Sequence, residues 1–159
     1  MIFPSLGLDA GMFDMEEFFL RFPARIRYLP LATSLCRELC AKVSQKQNIK
    51  NAVGDIELCI SEACTNAIKH GCGSQNEGFI TMRLCLYEDR VHIQIGDSGQ
   101  GFDLTEVTLP DLTDHPERGY GLYIIKAKMD EVQYVCSKNE NFLEMTKYFC
   151  DSRNNGGKK

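Results

Sequence analysis

Apolar and polar positions change their period along this chain. Residues 16–24, EEFFLRFPA, read as a short strand, placed at a sheet edge because Pro23, which removes a ladder donor, closes it. From 28 to 46 the spacing becomes helical. Leu31, Leu35, Leu39 and Val43 recur every four residues, which predicts an amphipathic helix. A second helix is expected after a cap at Asn48 or Asn51, with Ile56, Ile60, Ala63 and Ala67 as its buried stripe and with Gly71 and Gly73 ending it. The period then drops to two. Ile80, Met82, Leu84 and Leu86 alternate with Thr81, Arg83 and Tyr87, and beyond the turn at Glu88-Asp89-Arg90, Val91, Ile93 and Ile95 alternate with His92 and Gln94. That is a hairpin with one buried face. A helix from about Tyr120 to Met129 and two strands, EVQYVCS (131–137) and LEMTKYF (143–149), complete the pattern. Helices early and antiparallel hairpins later predict an α+β fold, a two-layer sandwich whose mixed sheet carries helices on one face.

The length of 159 residues suits one domain, expected over 15–150 between a flexible arm (1–14, with Pro4, Gly7 and Gly11) and a flexible tail (151–159, DSRNNGGKK). A chain 43% hydrophobic and 25% charged falls in the globular class. No apolar run approaches the ~18 residues of a membrane span, and the first residues lack the basic and apolar regions of a signal peptide. A net charge of −4 without a basic run does not favour nucleic acid. Neither a membrane nor a nucleic acid is therefore an expected partner, and a cytoplasmic location is. The eight cysteines, at 36, 40, 59, 64, 72, 85, 136 and 150, contain no CxxC pair and fall often on apolar positions, which suits reduced thiols acting as small hydrophobes. His70 with Cys72 could open a metal site, but three histidines in all are a poor ligand supply.

Three stretches carry candidate chemistry. In the second helix, ISEACTNAIKHG (60–71) places Glu62 and Asn66 one turn apart, offset by about 40° and rising about 6 Å, so the carboxylate and the carboxamide project together. Taken alone, Ser61, Glu62, Thr65, Asn66 and Lys69 could be the wet face of an ordinary helix. In GDSGQGFD (96–103), Asp97 stands where a strand ends, followed by Gly99 and Gly101. A carboxylate pinned there accepts well from an exocyclic amine, and the glycines admit a flat ligand, although a plain turn would use the same residues. In ERGYGLYII (117–125), Gly119 and Gly121 precede an apolar helix whose first N–H groups can hold phosphate, with Arg118 adding charge. The third glycine of a dinucleotide fingerprint is missing and no GK[ST] occurs. The intervening residues 102–118 contain two prolines and no clear period, which suits a lid.

In this order, E-x-x-x-N-A, a hairpin, D-x-G-x-G, a lid-length gap and G-x-G before a helix, the set resembles the Bergerat-type ATP-binding fold of the GHKL (histidine-kinase-like) ATPases over about residues 50–149. SEACTNAIKHG and RGYGLYII, with the opening strand and long helix, look like the bacterial anti-sigma-factor serine/threonine kinases (RsbW-like) over 16–149. The resemblance implies that Asn66 coordinates Mg²⁺ on the phosphates of ATP and that Glu62 is the catalytic base or hydroxyl-positioning group. It further implies that Asp97 accepts from the adenine amine, that Gly99 and Gly101 shape the nucleotide pocket, and that Arg118, Gly119 and Gly121 embrace the phosphates. The implied activity is phosphorylation of a STAS-type anti-anti-sigma protein, with sequestration of a sigma factor or similar regulator, in a chain that forms a homodimer. A non-catalytic ATP-binding regulatory module is the alternative. A histidine-kinase fragment is disfavoured because no phosphoacceptor helix pair precedes the fold. One departure stands out. Relatives often carry a Gly-Thr pair at the start of the last strand, whose Thr helps hold adenine. No such Thr lies near Phe142, so adenine anchoring rests more heavily on Asp97.

Overall fold

The computed structural model describes residues 15–43, 47–71, 78–97, 120–136 and 141–149. The expected arm and tail, and the lid segment 102–118, lie outside the described residues. The elements in chain order are β1 (Glu16–Pro23), a 3₁₀ turn (Ile26–Tyr28), α1 (Leu29–Val43), α2 (Gln47–Asn66), a π-helical turn (Ala67–Gly71), β2 (Phe79–Leu86), β3 (Arg90–Asp97), α3 (Tyr120–Lys128), β4 (Glu131–Cys136) and β5 (Asn141–Tyr148). The strands form one sheet in the order β1-β2-β3-β5-β4, with β1 at an edge as Pro23 requires. The α+β sandwich is the expected one. All four pairings are antiparallel, so the sheet expected to be mixed is antiparallel throughout the described strands, with the last strand inserted inside it.

The core lies between the sheet and the helices. Ile80, Met82 and Leu84 of β2, Ile93 and Ile95 of β3 and Met145 of β5 meet Ile56, Ile60 and Ala63 of α2 and Ile125 of α3, all of them buried. The expected stripe of α2 is therefore the observed one. That of α1 is so only in part: Leu39 is buried and Leu35 packs against the core, but Leu31 is 50% exposed, and Ala32, Cys36 and Cys40 are buried as well. A strict spacing of four drifts by about 40° per step on a 3.6-residue helix, so the true stripe mixes threes and fours. The expected caps at Asn48 and Asn51 also fail, because α2 already starts at Gln47 and both asparagines are inside it. Helical asparagine costs only about 0.7 kcal/mol relative to Ala, which packing of α2 on α1 overrides.

The hairpin differs from expectation in one respect that matters for the site. Its second face is not a wet one. Thr81, His92 and Gln94 are buried, together with Thr146 of β5. Polar side chains there pair across the strands: Gln94 Nε2 donates to Glu144 Oε1 at 2.7 Å, His92 Nδ1 lies 3.1 Å from Thr146 Oγ1, and Arg83 pairs with Glu17. Central strands flanked on both sides let long side chains cover one another, which alternation in a single strand does not reveal. Burial lowers the pKa of His92 and keeps it neutral.

Gly96 belongs to this face and sets the end of β3. It is flanked by Thr81 on β2 and Phe142 on β5. A Cβ at residue 96 would lie 2.8 Å from Phe142 Cε1 and would also collide with Thr81 Oγ1. The absent side chain lets the Phe142 ring lie over the strand end that carries Asp97. Gly96→Ala is expected to destabilise the protein by about 1–3 kcal/mol through overpacking, seen as a lower urea midpoint at unchanged slope. An unchanged midpoint would show that this strand end has slack.

Candidate functional site

α2 turns its apolar stripe to the sheet, which leaves the adjoining strip free to meet α3. The two helices run antiparallel. At one end Lys128 Nζ on α3 lies 3.0 Å from Asp55 Oδ1 on α2. At the other, Gly121 on the first turn of α3 faces Glu62 and Asn66. A Cβ built at Gly121 would lie 2.6 Å from Glu62 Oε2, 3.2 Å from Asn66 Nδ2 and 3.5 Å from Asn66 Oδ1. Both polar side chains are half-buried. Glu62, Asn66 and Gly121, drawn from sequence positions almost sixty residues apart, are thus gathered in one place, and the polar face of α2 meets the backbone of another helix start.

Asn66 is the last α-helical residue before the wider π turn Ala67–Gly71. Such turns cluster at functional sites. Here the turn carries Ala67 and Ile68 into the core. The same turn packs on β3. Asp97, the final residue of β3, is buried on the helix-facing side, the side of Ile93 and Ile95. Gly99, Gly101, Arg118 and Gly119 lie outside the described residues, as does Cys72. The side chain of His70 is likewise not described.

The described thiols near the site are buried in the core. Cys59 and Cys64, on either side of Glu62 in α2, are buried, and burial pushes their pKa values up to about 11 and about 12. The five described free cysteines, 36, 40, 59, 64 and 85, are all buried, in keeping with their reading as small hydrophobes. Among the described residues no group of three His, Cys, Asp or Glu side chains gathers to hold a metal. Reactive oxygen and nitrogen atoms are supplied by the carboxylate of Glu62, the carboxamide of Asn66 and the carboxylate of Asp97.

Sequence reasoning missed one polar group at this end of the sheet. Asn141, the first residue of β5, is paired across from Asp97 and is only 3% exposed. The signal was an amide immediately before Phe142, where only a hydroxyl was sought. Without the strand order nothing marks it, because its partner is 44 positions earlier and the connection between them includes α3 and β4.

The chain is similar to known proteins in sequence and in fold. Residues 22–147 match the family described as the histidine kinase-like ATPase domain. The serine-protein kinase RsbW of Bacillus cereus (strain ATCC 10987 / NRS 248) is 32% identical over 142 residues, covering 84% of this chain and 85% of the relative. The RsbW of Bacillus velezensis is 34% identical over 109 residues, 64% of this chain and 68% of the relative. The crystal structure of the RsbU and RsbW domains of a Mycobacterium tuberculosis protein superposes with a TM-score of 0.59 at 19% identity, over 83% of this chain and 32% of that one, which supports the shared fold. The chain belongs to the histidine kinase-like ATPase family, in its branch of RsbW-like serine-protein kinases.

Proposed function

We propose that this protein is an ATP-dependent serine/threonine kinase of a bacterial partner-switching circuit. It phosphorylates a STAS-type anti-anti-sigma protein and sequesters a sigma factor or similar regulator, in the cytoplasm and as a homodimer. The observation that carries the catalytic part is the contact of the Gly121 backbone with Glu62 and Asn66, which puts a carboxylate, a carboxamide and a helix start together. Kinship with serine-protein kinases supports the choice of reaction. The partner identities follow from the resemblance alone. No helix among the described residues is long and apolar enough to cross a membrane.

Phosphoryl transfer asks a protein mainly for positioning and charge neutralisation. In this reading Asp97 accepts from the exocyclic amine and sets the base. The first N–H groups of α3, bare at Gly121, hold phosphate oxygens. Magnesium suits the residues present. It prefers oxygen ligands, keeps several waters and is held by one or two protein oxygens together with phosphates. The Asn66 carboxamide supplies one such oxygen, and Gly121 leaves the space in front of it free of a side chain. The ion, when bound, supplies charge neutralisation at the phosphates. Glu62 then has a task that nucleotide binding alone does not need: its carboxylate orients the incoming serine hydroxyl and takes up its proton. The runner-up, a regulatory module that holds ATP without transferring phosphate, leaves that carboxylate unused.

Glu62→Gln is expected to lower phosphate incorporation into the acceptor protein on the order of 10²–10⁴-fold with ATP binding nearly intact, whereas Asn66→Ala should weaken Mg²⁺-dependent nucleotide binding and transfer together. The acceptor is recovered by pull-down in the presence and absence of ATP and assayed with labelled nucleotide. Wild-type protein that binds ATP and its partner yet never transfers phosphate would establish the module reading. Asp97→Asn should weaken nucleotide binding by about 1.5–3 kcal/mol, measured by calorimetry. Gly121→Ala separates site from fold. Removing a helical glycine should leave stability unchanged or raise it by about 0.5–1 kcal/mol, while the new methyl displaces the Glu62 carboxylate and transfer drops. A variant that melts at lower temperature, or transfers at the wild-type rate, would contradict this account of the glycine.

A further inference from the structure

The sulfur atoms of Cys36 and Cys40, one turn apart on α1, lie 3.8 Å from each other. Both side chains are fully buried. Burial alone makes a cysteine a small hydrophobe. Contact between two of them makes a dithiol, whose sulfur atoms need to approach by only about 1.8 Å to reach the bonded distance. The helix permits this in part. Residues four apart on an ideal helix have Cα atoms about 6.2 Å apart, within the span that a disulfide bridges. Their Cβ atoms, however, are about 5–6 Å apart, where a disulfide needs about 3.5–4.5 Å. The bond therefore forms only if the turn between the two residues gives way.

The position of Cys40 allows that. α1 ends at Val43, so Cys40 belongs to its last turn, followed by the exposed Ala41 and Lys42. The last four carbonyls of a helix have no partner within it, and helix ends open locally at far lower cost than the whole domain unfolds. Cys36 is placed differently. It lies in the middle of the helix next to Arg37, whose Nε and Nη2 both donate to the Glu57 carboxylate and tie that level of α1 to α2. One thiol of the pair is thus on the end that can open, and the other on the part that stays docked. Neither belongs to the site of Glu62, Asn66 and Asp97.

We propose that Cys36 and Cys40 form a redox-modification site that takes a hydroperoxide as its oxidant. When the last turn of α1 opens, the Cys40 thiolate attacks a peroxide oxygen. An S–O bond forms and the O–O bond breaks, so Cys40 becomes a sulfenic acid and the alcohol departs. The Cys36 thiolate then attacks that sulfur. An S–S bond forms, the S–O bond breaks, and water departs. Each thiol proton ends on a departing oxygen, and the two electrons lost by the thiols reduce one hydroperoxide. The bond holds the last turn of α1 out of helical geometry until a thiol reductant reopens it.

The sequence supplies a direct test. Trypsin cuts between the two cysteines, after Arg37, so the bond joins the peptides Tyr28–Arg37 and Glu38–Lys42. Folded wild-type protein is treated with tert-butyl hydroperoxide, then capped with N-ethylmaleimide in urea and mapped by mass spectrometry without reduction. The joined peptides should appear while Cys59 and Cys64 still take up maleimide. The oxidised protein should melt at a lower temperature than the reduced one, and dithiothreitol should restore the midpoint. In Cys36→Ala, dimedone should trap a sulfenic acid at Cys40, whereas in Cys40→Ala it should leave Cys36 unlabelled. Melts of the reduced variants verify their folds, and the wild-type map decides alone if either unfolds. Absence of the joined peptides overturns the proposal. So does their appearance only together with oxidation of Cys59 and Cys64, the mark of whole-domain unfolding, or dimedone on Cys36 in place of Cys40. Oxidised protein that melts like the reduced form would overturn the distortion of α1.

Discussion

The first turn of α3 lies close to the Glu62 carboxylate, and leaves it in place, because residue 121 has no side chain. A methyl there would sit 2.6 Å from the Glu62 carboxylate, inside van der Waals contact. The neighbouring steps of the two helices are held by ordinary means: Ile125 is buried in the core and Lys128 pairs with Asp55 at the surface. An exposed ion pair of that kind contributes little. The glycine contact is different in kind. It leaves the space beside a carboxylate and a carboxamide on another helix unfilled, so that their placement depends on a missing side chain while the docking of the helices does not.

The same logic recurs in the sheet. Gly96 admits the Phe142 ring over the end of β3, and so the residue after it, Asp97, is held on the opposite face at a fixed height. Two glycines, one in a strand and one in a helix, thus act by permitting close approach and not by adopting unusual dihedrals. Both stand next to residues with candidate chemistry. The polar pairs on the outer face, Gln94 with Glu144 and His92 with Thr146, tie β3 to β5 from the other side. The two strands that carry Asp97 and Asn141 are accordingly linked on both faces, which limits how far either residue can move relative to the other.

Much of the fold was legible because it is local. The change from helical to alternating spacing, the edge position of β1 and the stripe of α2 follow from short-range sterics and from the need to bury one face. Where local reasoning failed, a tertiary contact had overridden a weak preference. Asparagines 48 and 51 were absorbed into α2, a strict four-residue stripe on α1 was rotated so that Leu31 faces solvent, and the outer face of the hairpin was covered by its own long side chains.

For the site, the sequence by itself determined that Glu62 and Asn66 share a helical face and that Asp97 ends a strand, because both statements depend only on residues within one element. It also determined that a glycine begins α3. What that glycine touches, and which residue stands beside Asp97, only the tertiary structure decided. Gly121 meets Glu62 because α3 folds back antiparallel on α2, and Asn141 meets Asp97 because β5 enters the sheet between β3 and β4. Strand order and helix docking are set by the sum of many contacts across the core, and no short stretch of sequence carries that sum.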